Sequence, residues 1–240
     1  MRRRLPFRVV LLLGLDTATP AVTVALHDGA QPLAQLVTVD AHRHAELLAP
    51  AIAKVIADAG AERGDLTGIA VGVGPGPYTG LRVGVVTARV LGAALDVPVY
   101  GVCSLDVIAA DTEHGGEFLV ATDARRREVY WARYDEAGRR LTGPQVSPPA
   151  DIPDSVRQLL TVGEGCLLYP SLFPNGRGPT YPAAATVCRV VIAALAARGA
   201  DEDAGAGRDH ADAGVLVPPE PLYLRRPDVR EPGAPKRVSQ

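Results

Sequence analysis

Cysteine is scarce in this chain: three residues among 240, Cys103, Cys166 and Cys188, an odd number without C-x-x-C spacing. That excludes a disulfide framework or a zinc knuckle as the basis of the fold and fits a reducing compartment, the cytoplasm. An excess of charge is also missing. Lys and Arg number 25 against 27 Asp and Glu, a formal net charge of -2. Attraction to phosphate backbones grows with the number of neutralised phosphates, so strong sequence-independent binding of nucleic acid is not expected, and transfer of contact through a partner is. No run approaches the roughly eighteen apolar residues of a membrane-spanning helix.

What the chain does have is apolar material, 47% of its residues, enough for one large domain or two small ones and too much for wholesale disorder. Arg2, Arg3 and Arg4 ahead of the apolar run 9–15 have the look of a signal peptide. Asp16 ends that run at once, Pro20 follows, and alternation continues through Val22, Val24 and Leu26, so a strand is expected instead.

Strands are expected over 8–16, 21–27 and 32–39, the last two joined through Asp28-Gly29 as an antiparallel hairpin. A helix over 42–59 follows, then a buried strand over 68–73, a Gly/Pro loop, a helix over 79–95 and a strand over 97–100. This β-β-β-α-β-α-β order is that of a mixed sheet with right-handed crossovers, the ribonuclease-H-like half found in actin, sugar kinases and Hsp70. The first unit is therefore placed at residues 1–103. A looser second α/β unit, 104–225, is expected to hold a helix from Ser104, strands over 117–122, 128–134 and 141–146, and helices over 152–160 and 183–198. Residues 199–214 read as a flexible loop and 226–240 as a disordered tail.

Several residues invite a chemical reading. The segment from Gly72 to Gly84 has glycines that could admit a phosphate at a helix N-terminus. It lacks the P-loop Lys-Ser/Thr pair, its glycines at 74, 76 and 80 do not match G-x-G-x-x-G, and Pro75 and Pro77 lack the needed N–H groups. Asp96 lies at about the distance of a ribose-binding acid but precedes the next strand where it should end it. His42 and His44, two apart on a helix, diverge, so a cap or surface role is preferred to a metal. Ser104, near Cys103 and Asp106, has no G-x-S-x-G elbow and reads as an N-cap. Arg125, Arg126 and Arg127 read as a solvated turn, with contact to an RNA backbone as the alternative.

The two helices of the first unit are unusual. In the second, Gly80, Gly84, Ala88 and Gly92 recur every four residues as a flat stripe, while Leu81, Val83, Val85, Val86, Val90 and Leu91 make the rest apolar. In the first, a Leu48, Ile52, Val55, Ile56 stripe runs beside Ala45, Ala49, Ala53 and Ala57. A helix apolar nearly all round must be covered on both sides. Either the pair forms half of a four-helix bundle with another subunit, or both helices merely pack on the sheet and on each other. The residues alone leave these readings even.

Four segments together resemble the TsaB family, also called YeaZ: Leu15-Asp-Thr-Ala-Thr19, Gly74-Pro-Gly-Pro-Tyr-Thr-Gly-Leu-Arg-Val-Gly84, Asp123-Ala-Arg125 leading to Glu128-Val-Tyr130, and Glu220-Pro-Leu-Tyr-Leu-Arg225. The resemblance implies an actin-like fold (ribonuclease-H-like, of the ASKHA type) with two related subdomains, each a mixed β-sheet flanked by helices. It implies a non-catalytic subunit of threonylcarbamoyladenosine synthesis in transfer RNA. Such a subunit pairs with the homologous catalytic subunit TsaD through the two helices just described, helps recruit the ATPase TsaE, and meets transfer RNA only indirectly. A homodimer through the same helices is the related possibility. No cofactor or metal is implied, because the positions of the TsaD metal ligands fall on Ser104 and Ile108, neither of which can replace an imidazole. Partner contacts carry over to His44, Leu48, Arg82, Val86 and Arg89. Two competing functions follow from the fold and from an older label: an ATP-binding, kinase-like enzyme, for which Gly163-Glu-Gly165 is too slight a second phosphate loop, and a glycoprotease-like peptidase, for which no nucleophile-base pair is visible.

Overall fold

Alternation over residues 21–39 becomes a hairpin because the Asp28 carboxylate accepts the N–H groups of Ala30 and Gln31 at 2.8 and 2.7 Å while Gly29 turns at a φ of 97°. In the computed structural model, which describes residues 10–203 and 215–225, β1 (Leu12–Asp16), β2 (Ala21–His27) and β3 (Pro32–Val39) form an antiparallel meander. Helix α1 (His44–Asp58) crosses to β4 (Gly68–Gly72), parallel to β1. Helix α2 (Tyr78–Leu95) then crosses to β5 (Val99–Val102), parallel to β4. The expected β-β-β-α-β-α-β order is therefore present.

Both helices end on left-handed residues. Gly60, at a φ of 66°, lets the Ala61 N–H reach the Ile56 carbonyl, and Asp96, at 53°, lets the Val97 N–H reach the Gly92 carbonyl. Asp96 thus closes a helix and has no ribose-binding geometry.

The second half repeats the first. After α3 (Ser104–Ala110), strands β6 (Phe118–Asp123), β7 (Val129–Tyr134) and β8 (Gln145–Ser147) make another antiparallel meander. Helix α4 (Asp154–Arg157) leads to β9 (Leu160–Val162), parallel to β6 as β4 is to β1, and α5 (Glu164–Leu168) follows it as α2 follows β4. Two expectations need correction. The helix placed over 152–160 is the single turn α4, since the chain enters β9 at Leu160 to pair with Phe118. The strand placed over 141–146 starts at Gln145.

Helix α6 (Ala184–Asp203) returns to the first sheet. It packs on β1, β2, β4 and β5, and β10 (Leu216–Val217) pairs antiparallel with β5, giving the order β10-β5-β4-β1-β2-β3 beside a second sheet β8-β7-β6-β9. The first five residues of the loop expected over 199–214 belong to α6. The remainder of that loop and the tail 226–240 lie outside the described residues. The first sheet is thus covered on one face by α1 and α2, whose apolar stripe meets Leu13, Leu15, Val24 and Val71, and on the other by α6, where Cys188 and Val191 meet Leu12 and Ala70.

The flat stripe of α2 faces inward, onto the sheet and the turn after β1. Gly80, Gly84, Ala88 and Gly92 are all buried against the sheet. A Cβ on Gly80 would stand 2.5 Å from the Thr17 carbonyl oxygen, and one on Gly84 would overlap the Thr17 hydroxyl. In their absence that hydroxyl donates to the Gly80 carbonyl at 2.7 Å. Gly84→Ala is therefore expected to push α2 off the sheet and cost about 1–3 kcal/mol. Denaturant unfolding measures it, and a variant as stable as the parent would contradict this seating.

Candidate docking face

The glycine-rich loop between β4 and α2 is closed by the chain itself. Where Gly72 and Gly76 would carry a Cβ stand the Asp16 carboxylate and the Ala18 carbonyl. The Tyr130 hydroxyl, reaching from β7, donates to the Gly76 carbonyl at 3.4 Å and ties the loop to the second sheet. Gly163, at the equivalent bend before α5, and Gly165, in the first turn of that helix, likewise lie against Ala121. These glycines serve close approach of backbone to backbone. A phosphate does not fit among them, since the space is taken and a carboxylate lies where an anion would come.

Asp16 ends β1 fully buried, accepting the Ser104 hydroxyl at 2.5 Å and the Ala18 N–H at 2.8 Å. Ser104 also accepts the Gly74 N–H at 3.1 Å. One carboxylate thereby joins β1, the loop and the start of α3. Burial raises its pKa from 3.8 to about 6, while the bonds from Ser104 and Ala18 act the other way. Ser104, whose backbone starts α3, turns its side chain to this network and makes no side-chain cap bond. The base it meets is the Asp16 carboxyl, and both groups are buried, so the pair is not presented to a substrate. Burial also pushes the thiols of Cys103 and Cys188 up to about 12 and raises that of Cys166, which holds all three protonated and unreactive.

The side of α1 and α2 turned away from the sheet is a different surface. Val86 and Val90 are 53% and 60% exposed, one turn apart, with Arg82 and Arg89 at their flanks. On α1, Ala45, Ala49, Ala53 and Ala57 are all exposed. Between the two helices runs a groove of about 720 Å³ lined by Ala49, Ala53, Ala57, Ile56, Thr87 and Leu91. Most of its lining is apolar and short, a shape into which larger side chains of another helix can interdigitate, and Thr87, Glu62 and Arg63 are its polar members. At the N-terminal end of α2, Tyr78 stacks on Tyr223 with centroids 5.0 Å apart, and the Arg82 guanidinium lies 4.7 Å from the Tyr78 centroid. Arg225, two residues past Tyr223, pairs with Glu128. Three segments far apart in sequence thus meet beside this face.

Of the five contact residues expected from sequence, Arg82, Val86 and Arg89 are exposed together on one face of α2. His44 and Leu48 are not on the outer surface. His44 is 8% exposed and its Nε2–H donates to the Thr19 carbonyl at 2.8 Å, and Leu48 belongs to the core beneath α1. The Leu/Ile stripe of α1 packs on the sheet, so the outward residues are its alanines. Ser104 and Ile108 are both buried. Among the described residues no three His, Cys, Asp or Glu side chains gather as metal ligands. Arg125, Arg126 and Arg127 form the exposed β6–β7 turn, all three at positive φ between 55° and 62°. The stack of Tyr78 on Tyr223 gave no sequence signal, because the two lie far apart along the chain.

A family model described as TsaD, tRNA N6-adenosine threonylcarbamoyltransferase, matches residues 36–160. An uncharacterized protein of Mycobacterium tuberculosis is 42% identical over 229 residues, covering 93% of this chain and 95% of that one. The tRNA threonylcarbamoyladenosine biosynthesis protein TsaB of Escherichia coli is 34% identical over 179 residues, covering 67% of this chain and 74% of that one. Among solved structures, YeaZ from Pseudomonas aeruginosa superposes with a TM-score of 0.64 at 29% identity, covering 90% of this chain and 100% of that one.

The buried carboxyl has a measurable consequence. The rise of the Asp16 pKa from 3.8 to about 6 means that the native chain prefers the neutral acid, so stability is full below pH 3.8 and falls as pH rises through 6. The gap corresponds to about 3 kcal/mol at neutral pH. Urea unfolding at a series of pH values should show the parent losing up to that amount relative to Asp16→Asn between about pH 4 and 7. A constant difference across that range would contradict the burial of a titrating carboxyl at this point.

Proposed function

This chain belongs to the TsaB (YeaZ) family, and from that premise we propose that it is a non-catalytic subunit for threonylcarbamoyl transfer to N6 of adenosine 37 in transfer RNA. It acts by docking through α1 and α2 onto a homologous catalytic subunit of the TsaD kind, and the pair helps recruit the ATPase TsaE. The observation that carries this reading is the outward face of α1 and α2, where Val86 and Val90 border an alanine-lined groove that the rest of the described chain leaves open. A helix with one apolar side on its sheet and a second apolar side in water is short of a partner.

Kinship with the catalytic enzyme supports the same partner. The TsaD family model aligns with α1 and α2 of this chain, so a TsaD-type subunit has two equivalent helices to offer. Two such pairs meet as a four-helix bundle with pseudo-twofold symmetry. The contacts are Arg82, Val86, Val90 and Arg89 with the α1 alanines. His44 and Leu48 act from beneath by fixing the helix on its sheet. Catalysis belongs to the partner. Ser104 and Ile108 supply no metal ligands in place of the imidazoles of TsaD, and the glycine-rich loop has no room for a triphosphate.

Val86→Lys places a charge in the centre of this face while leaving the sheet contacts alone. It is expected to weaken co-purification with the TsaD-type subunit about a hundredfold, with an unchanged melting temperature. If binding persists in that variant and in Val90→Lys, the helix face is not the interface.

A further inference from the structure

The turn between β6 and β7 holds three arginines in the left-handed region of the backbone. Arg125, Arg126 and Arg127 have φ of 60°, 55° and 62°, and all three are exposed. Glycine enters that region without strain, asparagine and aspartate with little, and other side chains at a cost. A turn of this shape is built more cheaply from those residues. Here arginine stands in it three times in succession, so backbone preference does not account for the composition, and charge does.

The turn is part of a larger surface. Glu128, the next residue, pairs with Arg225. Tyr223, two residues before that arginine, stacks on Tyr78, and the Arg82 guanidinium lies 4.7 Å from the Tyr78 centroid. Arg82, Arg225 and the turn are thereby joined by contacts into one band that runs from α2 to the second sheet. Within it Tyr78 and Tyr223 are 44% and 40% exposed. The band sets five arginines against the carboxylates of Asp123, at 3.3 Å from Arg125, of Glu128, and of Glu164 close to Arg125. The chain as a whole has a formal net charge of -2, so this positive excess is local.

We propose that the band takes the phosphate backbone of transfer RNA directly, beside the catalytic subunit. The inference rests on the function proposed above and adds to it a contact between this chain and the RNA itself. Two features select a polymer of phosphates over one small anion. Successive residues of helical backbone, of either hand, turn their side chains by about 100°, so the guanidiniums of the turn fan out and do not close on a single phosphate. Between the arginines at the two ends of the band lie half-open phenol rings, and unpaired bases stack on such rings. An acidic protein surface would match the arginines and leave the rings unused. Position agrees with this occupant. Arg82 also belongs to the helix face that takes the catalytic subunit, so the band begins at the edge of the interface with the subunit that works on the RNA.

Filter binding of an unmodified transfer RNA transcript to the pair formed with a TsaD-type subunit, over a series of salt concentrations, tests the contact. Arg127→Gly removes a guanidinium and relaxes a left-handed residue, so its melting temperature should equal or exceed that of the parent. Its RNA affinity should fall about threefold to tenfold, and the slope of log affinity against log salt should shrink by about 1. Arg127→Lys keeps the charge and should recover most of the affinity. Arg198→Ala takes one charge from the far part of α6 and should leave RNA binding as it is. The chain alone should bind the transcript more weakly, with the same change of slope in Arg127→Gly. Unchanged affinity and slope in that variant overturn the proposal. An equal loss in Arg198→Ala overturns it too, since net charge would then suffice. So does a loss of co-purification with the catalytic subunit in Arg127→Gly at unchanged RNA affinity, which would mark the turn as a protein contact. Failure of the docking reading is seen separately, as co-purification that survives Val86→Lys.

Discussion

The contact between α2 and the turn after β1 constrains the rest of the molecule. Three glycines and an alanine at a spacing of four bring the helix down until the Thr17 hydroxyl bonds the Gly80 carbonyl. At that distance no ligand can pass between helix and turn, and the loop ahead of the helix folds against Ala18 and Asp16. The loop looks from its sequence like a phosphate cradle, yet its glycines are used up by the chain. The same contact fixes which side of α2 points outward, and that side carries Val86 and Val90. The closed loop and the outward apolar side of α2 have one geometric origin.

Asp16 is held in the same region by a different kind of interaction. A carboxyl buried completely and bonded by one hydroxyl and one amide is weak support for stability at neutral pH, where its charge is costly. What it adds is register between β1, the glycine-rich loop and the start of α3. Tyr130 extends the tie to the second sheet, and Arg225 with Glu128 closes it from the C-terminal side. Both halves use the same device, a bend after the parallel strand whose glycines lie against the first strand of the meander, at Gly72 and Gly76 in one and Gly163 and Gly165 in the other. The likeness of the two halves is therefore in topology and in backbone contact.

Much of the architecture was legible because it rests on local signals. Strands β2 and β3 alternate with period two and are separated by an Asp-Gly turn, and α1 ends where Gly60 permits a left-handed residue. Short elements escaped because three residues cannot show a period, as with β9, or because a proline starts a single turn, as with α4. The candidate docking face was half legible. Spacing reveals that α2 has a flat stripe and an apolar remainder, but not which of the two meets the sheet, since a small-residue stripe suits close approach to a sheet as well as to a helix. His44 and Leu48, one turn apart, share a face, and only the packing of α1 shows that this face is the inner one. The stack of Tyr78 on Tyr223 depends on the return of the chain after α6 and has no local trace at all.

The central claim is that the outer surface of α1 and α2 is a docking surface for a catalytic homologue. Hydrogen exchange of the chain, alone and with a purified TsaD-type subunit, measures it most directly. The account predicts slowed exchange concentrated over residues 45–57 and 82–91 in the mixture. Protection confined to the 125–127 turn or to α5, with the two helices unchanged, would contradict it.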